Sequence, residues 1–292
     1  MTSRPADVSR TAYVMGVLAL ALTALAAVEF ARPGALDIRP ATCLDPTTNQ
    51  GAQPRCFCEA VGSGLLRQPA NALSNLAFLV AGAAAYRSVR AINRTRPERA
   101  LAGAAALATI AVGAGSLAYH GGLTFAGQLL DVQGMYLIAV LLLVGSCRGS
   151  PFAHRTLPLA LTSLATLAAI QWALPGTRRW LFAVVLLPGI VLEARRAPGS
   201  PSLRAAVGLL TLGYAVWLAD ERGLWCDPGS LLQGHAVWHL ATAGAAYLLV
   251  RHYRWASGRA PESGTSGPQI QAPRETGNPG TRPGTLGRSE IE

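Results

Sequence analysis

Three histidines of this 292-residue chain lie within apolar sequence, and their spacing could bind a metal ion. His235 and His239 are four residues apart, which places both side chains on one face of a helix. His120 ends another apolar segment, four residues after Ser116, and Asp131 opens the next one. Ionisable side chains are costly inside a bilayer and call for partners. These five residues are therefore the candidates for a functional site.

Three neutral imidazoles suit a catalytic zinc ion, which takes three protein ligands and keeps one position for water. Such a metal makes hydroxide available near neutral pH. Asp131 could then act as general base toward water and as general acid toward a leaving amine, while Ser116 hydrogen bonds to the oxyanion or to the attacking water. Alternatively, His235 and His239 only hydrogen bond to neighbouring helices. Both interpretations stay open from the spacing alone.

The segments that hold these side chains read as membrane-spanning helices. Hydrophobic residues make up 51% of the chain and charged residues 14%, whereas soluble domains carry about 25% charged residues. Apolar runs near the roughly 20 residues needed to cross a bilayer recur along the sequence. We predict eight spans, near residues 12–31, 69–88, 101–120, 129–147, 157–174, 180–194, 204–221 and 232–251. The predicted fold class is an all-α polytopic membrane protein.

The arginines indicate how the spans are oriented. All 25 basic residues are arginines; eighteen fall on the N-terminal side of an eight-span topology and seven on the other side. Positive charge favours the cytoplasm, so both termini are predicted there and the candidate site lies toward the outer leaflet. The net charge of +10 then reflects topology, and no nucleic-acid partner is expected. His154 and His252 lie in basic cytoplasmic flanks, which predicts an interfacial position and no role as metal ligands.

Four of the five cysteines fall in segments predicted to lie outside the cytoplasm, which favours an exported disulfide. They are Cys43, Cys56, Cys58 and Cys226. The first apolar run could be a signal peptide, but it is long for one and the residues after Glu29 make a poor cleavage site, so we expect a retained helix. From about Ser257 the chain is rich in Gly, Pro, Ser, Thr and Arg, which predicts a disordered tail.

Together these residues resemble the alkaline ceramidase family. Ser116-x3-His120, Asp131 and His235-x3-His239 match the serine, aspartate and histidines of its pattern. Further matches are Cys58-Glu59, Asn71-Ala72-Leu73-Ser74-Asn75, Asp220, Cys226 and Leu232-Gln233-Gly234-His235-Ala236-Val237-Trp238-His239. The likeness extends over about residues 56–254. The wider group of transmembrane zinc hydrolases around this family includes adiponectin receptors and the lipases that remodel GPI anchors.

The resemblance implies a seven-helix core that binds zinc and hydrolyses the amide bond of ceramide or a related N-acyl lipid, releasing a fatty acid. The zinc ligands that it implies are His120, His235 and His239. It implies that Asp131 and Ser116 assist catalysis, and that Cys58 pairs with Cys226. On the basis of this resemblance, we predict four regions. They are a cytoplasmic segment and an additional helix over residues 1–35, an extracytoplasmic loop over 36–68, the core over 69–254 and the tail over 255–292.

The chain departs from the family pattern at a second metal site. Eukaryotic members hold calcium beside Cys-Glu, and Glu59 matches one of those ligands. Cys56, Val61 and Gln68 stand where others would be, and a hard cation that needs six or more oxygen ligands is poorly served by them. Glu59 is therefore a candidate for a vestigial calcium site, and bound calcium is not expected.

The sequence leaves alternatives open for both the substrate and the reaction. The lack of lysine indicates a GC-rich bacterial genome, so we expect a bacterial inner membrane and a substrate that can be an N-acyl lipid other than ceramide. An esterase or phospholipase with the same site stays open, because esters and amides pass through similar oxyanions. A zinc-containing lipid receptor without activity is the alternative from another class.

Overall fold

The computed structural model of the chain describes residues 5–44, 56–92, 97–148 and 150–258. The chain divides into two units, Met1–Arg259 and Ala260–Glu292, and the second lies outside the described residues. The predicted disordered tail therefore lies almost wholly outside them as well.

Nine α-helices lie in the described part of the chain. They are α1 (Pro5–Ala31), α2 (Pro69–Ser74), α3 (Leu76–Ser88), α4 (Pro97–Gly122), α5 (Phe125–Ser146), α6 (Thr156–Ala173), α7 (Arg178–Arg196), α8 (Pro201–Glu221) and α9 (Gly234–Gly258). The short helix α2 and α3 follow one another through Asn75 and together cover the second predicted span. The all-α prediction is confirmed, and α9 extends four residues beyond the predicted end of the core at residue 254.

Length and composition mark the chain as a membrane protein. Within the described ranges, five helices are long and apolar enough to cross a bilayer: α1, α4, α5, α6 and α8. Helices α2 and α3 are each too short alone, and α7 carries five charged residues at its two ends. The count of eight spans and the cytoplasmic placement of both termini stay predictions.

Helix α4 is the centre of the bundle and contacts α1, α3, α5 and α9. Its approach to α5 is very close: a Cβ on Gly115 would lie 2.8 Å from the Leu130 carbonyl oxygen, and one on Gly134 would lie 2.9 Å from Val112 Cα. Small residues allow such contacts in lipid, where helices associate mainly by packing. This contact places the last turns of α4 beside the first turns of α5.

Helix α1 packs against α4 and α5, although it precedes the part of the chain that resembles the ceramidases. The Glu29 carboxylate near its end is buried and accepts hydrogen bonds from the Thr124 hydroxyl at 2.7 Å and from the Gly34 and Leu36 amides at 2.6 and 2.9 Å. These bonds compensate the burial of a charge. Whether α1 is retained in the mature protein stays a prediction.

His252 is fully buried within the protein at the opposite end of the bundle, and its position at the membrane interface stays a prediction. Its Nε2 lies 2.9 Å from Glu193 Oε1, and its Nδ1 lies 2.8 Å from the Ser200 hydroxyl. The same Glu193 oxygen accepts a 2.6 Å hydrogen bond from Arg148. Charged groups that leave water need such partners. These three side chains therefore connect the ends of α5, α7 and α9 that lie away from the three-histidine cluster.

His154, by contrast, is exposed and contacts Arg155.

Candidate metal centre

The three predicted histidine ligands meet at one point in the bundle. His120 lies in the last turn of α4, and His235 and His239 lie in the first turns of α9. One ring nitrogen of each lies within 4.8 Å of the others, and all three residues are buried. The Nε2 atoms of His120 and His235 are 3.2 Å apart. Residues 115 positions apart in the chain thus form a single cluster.

Gln68 fixes which nitrogen of His120 faces the cluster. The Gln68 amide nitrogen donates to the carbonyl oxygens of Cys56 and Glu59, so its Oε1 is the atom that points toward His120. This oxygen lies 2.9 Å from His120 Nδ1 and can only accept, so Nδ1 carries the proton. The lone pair of Nε2 is left for the centre of the cluster.

Ser74 performs the same task for His239. The Ser74 hydroxyl donates its one proton to the Asn71 carbonyl at 2.8 Å. Its oxygen, 2.8 Å from His239 Nδ1, must therefore accept a proton from that ring. Metal-binding histidines characteristically donate their other ring N–H to such a partner. Neither Gln68 nor Ser74 was predicted in this role; the only signal was the position of Ser74 within the family motif.

Phe57 holds the third ring by stacking. The rings of Phe57 and His235 are nearly parallel, with centroids 3.6 Å apart. Phe57 has a φ of 71°, a strained value for a bulky side chain, and lies between two disulfide-bonded cysteines. His235 Nδ1 has no hydrogen-bond partner among the described residues. Packing, rather than a hydrogen bond to that nitrogen, therefore sets the orientation of His235.

The cluster fits a zinc ion by its donors and by their spacing. At the usual Zn–N distance, two ligands of a tetrahedral ion lie about 3.3 Å apart, close to the His120–His235 separation. At least two of the rings direct unprotonated nitrogens inward, and neutral imidazole is a preferred zinc ligand. Three ligands leave one position open for chemistry.

The other two candidate site residues, Ser116 and Asp131, lie beside the histidines. The Ser116 hydroxyl is 3.5 Å from His239 Nε2, and it lies close enough to the Asp131 carboxyl to interact with it. Ser116 is buried, whereas Asp131 is half-buried because it faces a cavity. The absence of a side chain at Gly115 lets α5 come close enough for this contact.

A cavity of about 480 Å³ leads away from the cluster between α4, α5, α7, α8 and α9. Its polar end is formed by Ser116, Asp131, His235 and His239. Mostly apolar side chains line the rest as far as Leu142, which is about 16 Å from Asp131 along α5 at the helical rise per residue. A long, apolar chamber with few polar groups at one end suits a lipid chain.

Glu59 and Asp220, both matched to the family motif, contact backbone amides. Glu59 accepts hydrogen bonds from the Ala70 and Asn71 amides at 2.6 and 2.8 Å, at the start of α2. Burial raises the pKa of the Glu59 carboxyl, and these hydrogen bonds oppose that shift. Asp220 accepts from the amides of Cys58 and His235 at 3.2 and 3.1 Å. Both carboxylates thus fix the loop and the helix that surround the histidines.

Two disulfides enclose the loop above the cluster. Cys58 and Cys226 are bonded, with Cα atoms 5.4 Å apart, which is the pairing that the family resemblance implies. Cys43 and Cys56 form a second bond, which was not predicted as a pair. No spacing rule assigns partners among four exported cysteines, because connectivity depends on the fold.

Comparison with known families connects this geometry to an activity class. Residues 57–266 match the model of the ceramidase family, and the matched region includes the three histidines, Ser116 and Asp131. No curated protein matches the chain. Because the family match covers more than two thirds of its length, the chain belongs to the ceramidase family, a family of hydrolases.

Proposed function

We propose that the protein is a zinc-dependent hydrolase that cleaves the amide bond of ceramide or a related N-acyl lipid and releases a fatty acid. The observation that carries this proposal is the buried three-histidine cluster at the polar end of an apolar cavity. Membership of the ceramidase family supports the same chemistry.

His120, His235 and His239 would hold the ion. Bound zinc supplies a Lewis acid and makes hydroxide available near neutral pH. Gln68 and Ser74 keep His120 and His239 in the tautomer that directs Nε2 inward. The protein thus prepares neutral ligands and does not have to remove protons from them when the metal binds.

Asp131 is the group placed to move protons. Its carboxyl lies on the cavity wall with the histidines, where it can accept a proton from an attacking water and deliver it to the leaving amine nitrogen. Ser116 lies beside this carboxyl and interacts with it. Amide hydrolysis requires such a protonation because an amine anion is a very poor leaving group.

The cavity determines how the substrate lies. An acyl chain fits the apolar part of the cavity that reaches Leu142. The carbonyl of the substrate then lies at the histidines, and its headgroup lies at the polar mouth, the end of the cavity away from Leu142. With both termini in the cytoplasm, this mouth faces the outer leaflet of a bacterial inner membrane. The substrate can then enter from the lipid without crossing water.

Zinc analysis combined with a hydrolysis assay tests the proposal. We expect purified protein to contain about one zinc ion per chain and to release fatty acid from ceramide. His239→Ala should lose both, whereas His154→Ala, which changes an exposed histidine far from the cluster, should keep both. Turnover retained in His239→Ala would refute the proposal.

A matched ester and amide pair separates the related activities. Cleavage of the ester with no cleavage of the amide would identify an esterase instead. One bound zinc with no turnover of either lipid would identify a binding protein. Cleavage of the amide supports the ceramidase chemistry.

A further inference from the structure

Two arginines that the proposed hydrolysis does not use lie at the mouth of the cavity. Arg178 and Arg179 begin α7 and line the large cavity together with His235. They also line a smaller cavity of about 110 Å³ beneath the two disulfides, which shares Phe57 and Tyr119 with the large one. Positive charge is disfavoured on the predicted extracytoplasmic side, so an adjacent pair of arginines there calls for a physical reason.

The charge of Arg179 already has partners within the protein. Its guanidinium forms an ion pair with Glu221 and lies 4.6 Å from the centroid of the Trp217 ring. Both partners belong to α8, so Arg179 connects the start of α7 to the end of α8 at the mouth of the cavity. Arg179 therefore has a sufficient structural role.

Arg178 forms no direct ion pair with a carboxylate within the described ranges. Its Nη1 donates to the Thr42 hydroxyl at 3.3 Å and to the Pro175 carbonyl at 3.2 Å, both of which are neutral groups. The acidic residue Asp220 of the smaller cavity accepts backbone hydrogen bonds instead. Asp131, on the wall of the large cavity, lies close enough to interact with the charge of Arg178 but forms no ion pair with it. The positive charge of Arg178 thus faces the cavities without an ion pair among these residues.

We propose that Arg178 binds an anionic headgroup, so that the substrate of this chain is an N-acyl lipid carrying a phosphate near its amide. The inference rests on the proposed hydrolase function. A guanidinium presents a planar set of donors that matches phosphate oxygens in pairs. The smaller cavity is large enough for several water molecules, and hence for a phosphate group. With the acyl chain in the apolar chamber, the headgroup comes to this mouth.

Two substrates that differ only in the headgroup test the proposal. We compare kcat/KM for ceramide and for the same ceramide with a phosphate monoester on its primary hydroxyl. The phosphorylated lipid should be favoured about tenfold by the wild-type protein, because charge-assisted hydrogen bonds are the stronger ones. Arg178→Gln should lower that ratio about tenfold. Arg178→Lys should give an intermediate ratio, because it keeps the charge and loses the paired donors.

Arg222→Gln is the matched control. Arg222 is an exposed arginine at the same end of the bundle and lines neither cavity, so its substitution should leave the ratio unchanged. Equal kcat/KM of the wild type for both lipids, or an equal effect of Arg178→Gln on both, would overturn the anion site while leaving the hydrolase intact.

Binding measured without turnover separates this inference from the proposed function. A fluorescent phosphorylated ceramide is titrated into the Asp131→Asn variant, with and without Arg178→Gln. If the wild type hydrolyses neither lipid but binding still weakens on loss of Arg178, the anion site stands and the hydrolase proposal fails. Binding that is indifferent to Arg178 overturns the anion site.

Discussion

The outer nitrogens of the three histidines have unequal surroundings. His120 donates to Gln68 and His239 donates to Ser74, whereas His235 Nδ1 has no partner among the described residues and its ring is stacked on Phe57. A hydrogen bond fixes both the tautomer and the rotation of a ring, but stacking fixes only its plane. His120 and His239 are therefore the more strongly preorganised of the three proposed ligands.

Loss of the Ser74 hydroxyl should weaken zinc binding. Ser74→Ala removes the acceptor of the His239 Nδ1 proton, and such outer partners typically contribute about 10- to 100-fold in metal affinity. The measurement is a zinc titration against a chromophoric chelator. Ser88→Ala is the control, because Ser88, at the end of the following helix α3, also donates to a carbonyl three residues earlier but contacts no histidine. Equal zinc affinity of Ser74→Ala and wild type would contradict the role of Ser74.

At the scale of residues, the sequence predicts the candidate metal ligands better than the side chains that orient them. A histidine in an apolar segment is conspicuous because it is costly there, and this made His120, His235 and His239 visible. Gln68 lies in a loop where a polar residue needs no explanation, and its contact with His120 arises only when the loop folds back on α4. The stacking of Phe57 on His235 is invisible in sequence for the same reason.

At the scale of elements, the site depends on how closely α4 and α5 pack. A Cβ on Gly115 would lie 2.8 Å from both the Leu130 carbonyl and the Asp131 amide, so even alanine requires the two helices to separate. The contact between Ser116 and Asp131 depends on that spacing. The crossing thus couples bundle stability to the position of Asp131, the group that we propose transfers protons.

Gly115→Ala should destabilise the bundle by about 1–3 kcal/mol, the usual range for overpacking, and should reduce hydrolysis. Thermal unfolding in detergent and the fatty-acid release assay measure the two effects. Gly208→Ala in α8 is the control, because a Cβ there meets nothing within 4 Å and alanine favours helix. If Gly115→Ala were as stable and active as Gly208→Ala, the close crossing would not support the site.

Apolar periodicity predicted the helices well, and it could not predict how they meet. The split of one span at Asn75 into α2 and α3 left no mark on the hydrophobic pattern. The buried contacts of His252 were not predicted, because a histidine beside arginines near a helix end looks interfacial. In the structure it is buried against Glu193, which belongs to another helix. Contacts between helices, unlike the helices themselves, have no local signature.

At the scale of the whole molecule, the two ends of the bundle are stabilised differently. The end with the histidines is closed by a loop held by two disulfides, and the other end by the buried hydrogen-bonded cluster of Arg148, Glu193 and His252. Disulfides form in oxidising compartments, so their position is consistent with the predicted extracytoplasmic side. An accessible chamber thus lies between two fixed ends.

The two disulfides should contribute unequally to stability. Cys58 and Cys226 are 168 residues apart, whereas Cys43 and Cys56 are 13 apart, and a bond that closes a longer loop restricts the unfolded chain more. Replacing the first pair by serine should cost near the upper end, and the second near the lower end, of the typical range of about 2–5 kcal/mol. Thermal unfolding of the zinc-loaded protein in detergent measures both losses. Cys147→Ser, which changes the free cysteine at the other end, should leave the unfolding temperature close to that of the wild type. If replacing the Cys43–Cys56 pair cost more stability than replacing the Cys58–Cys226 pair, loop length would not determine how much each disulfide stabilises the protein.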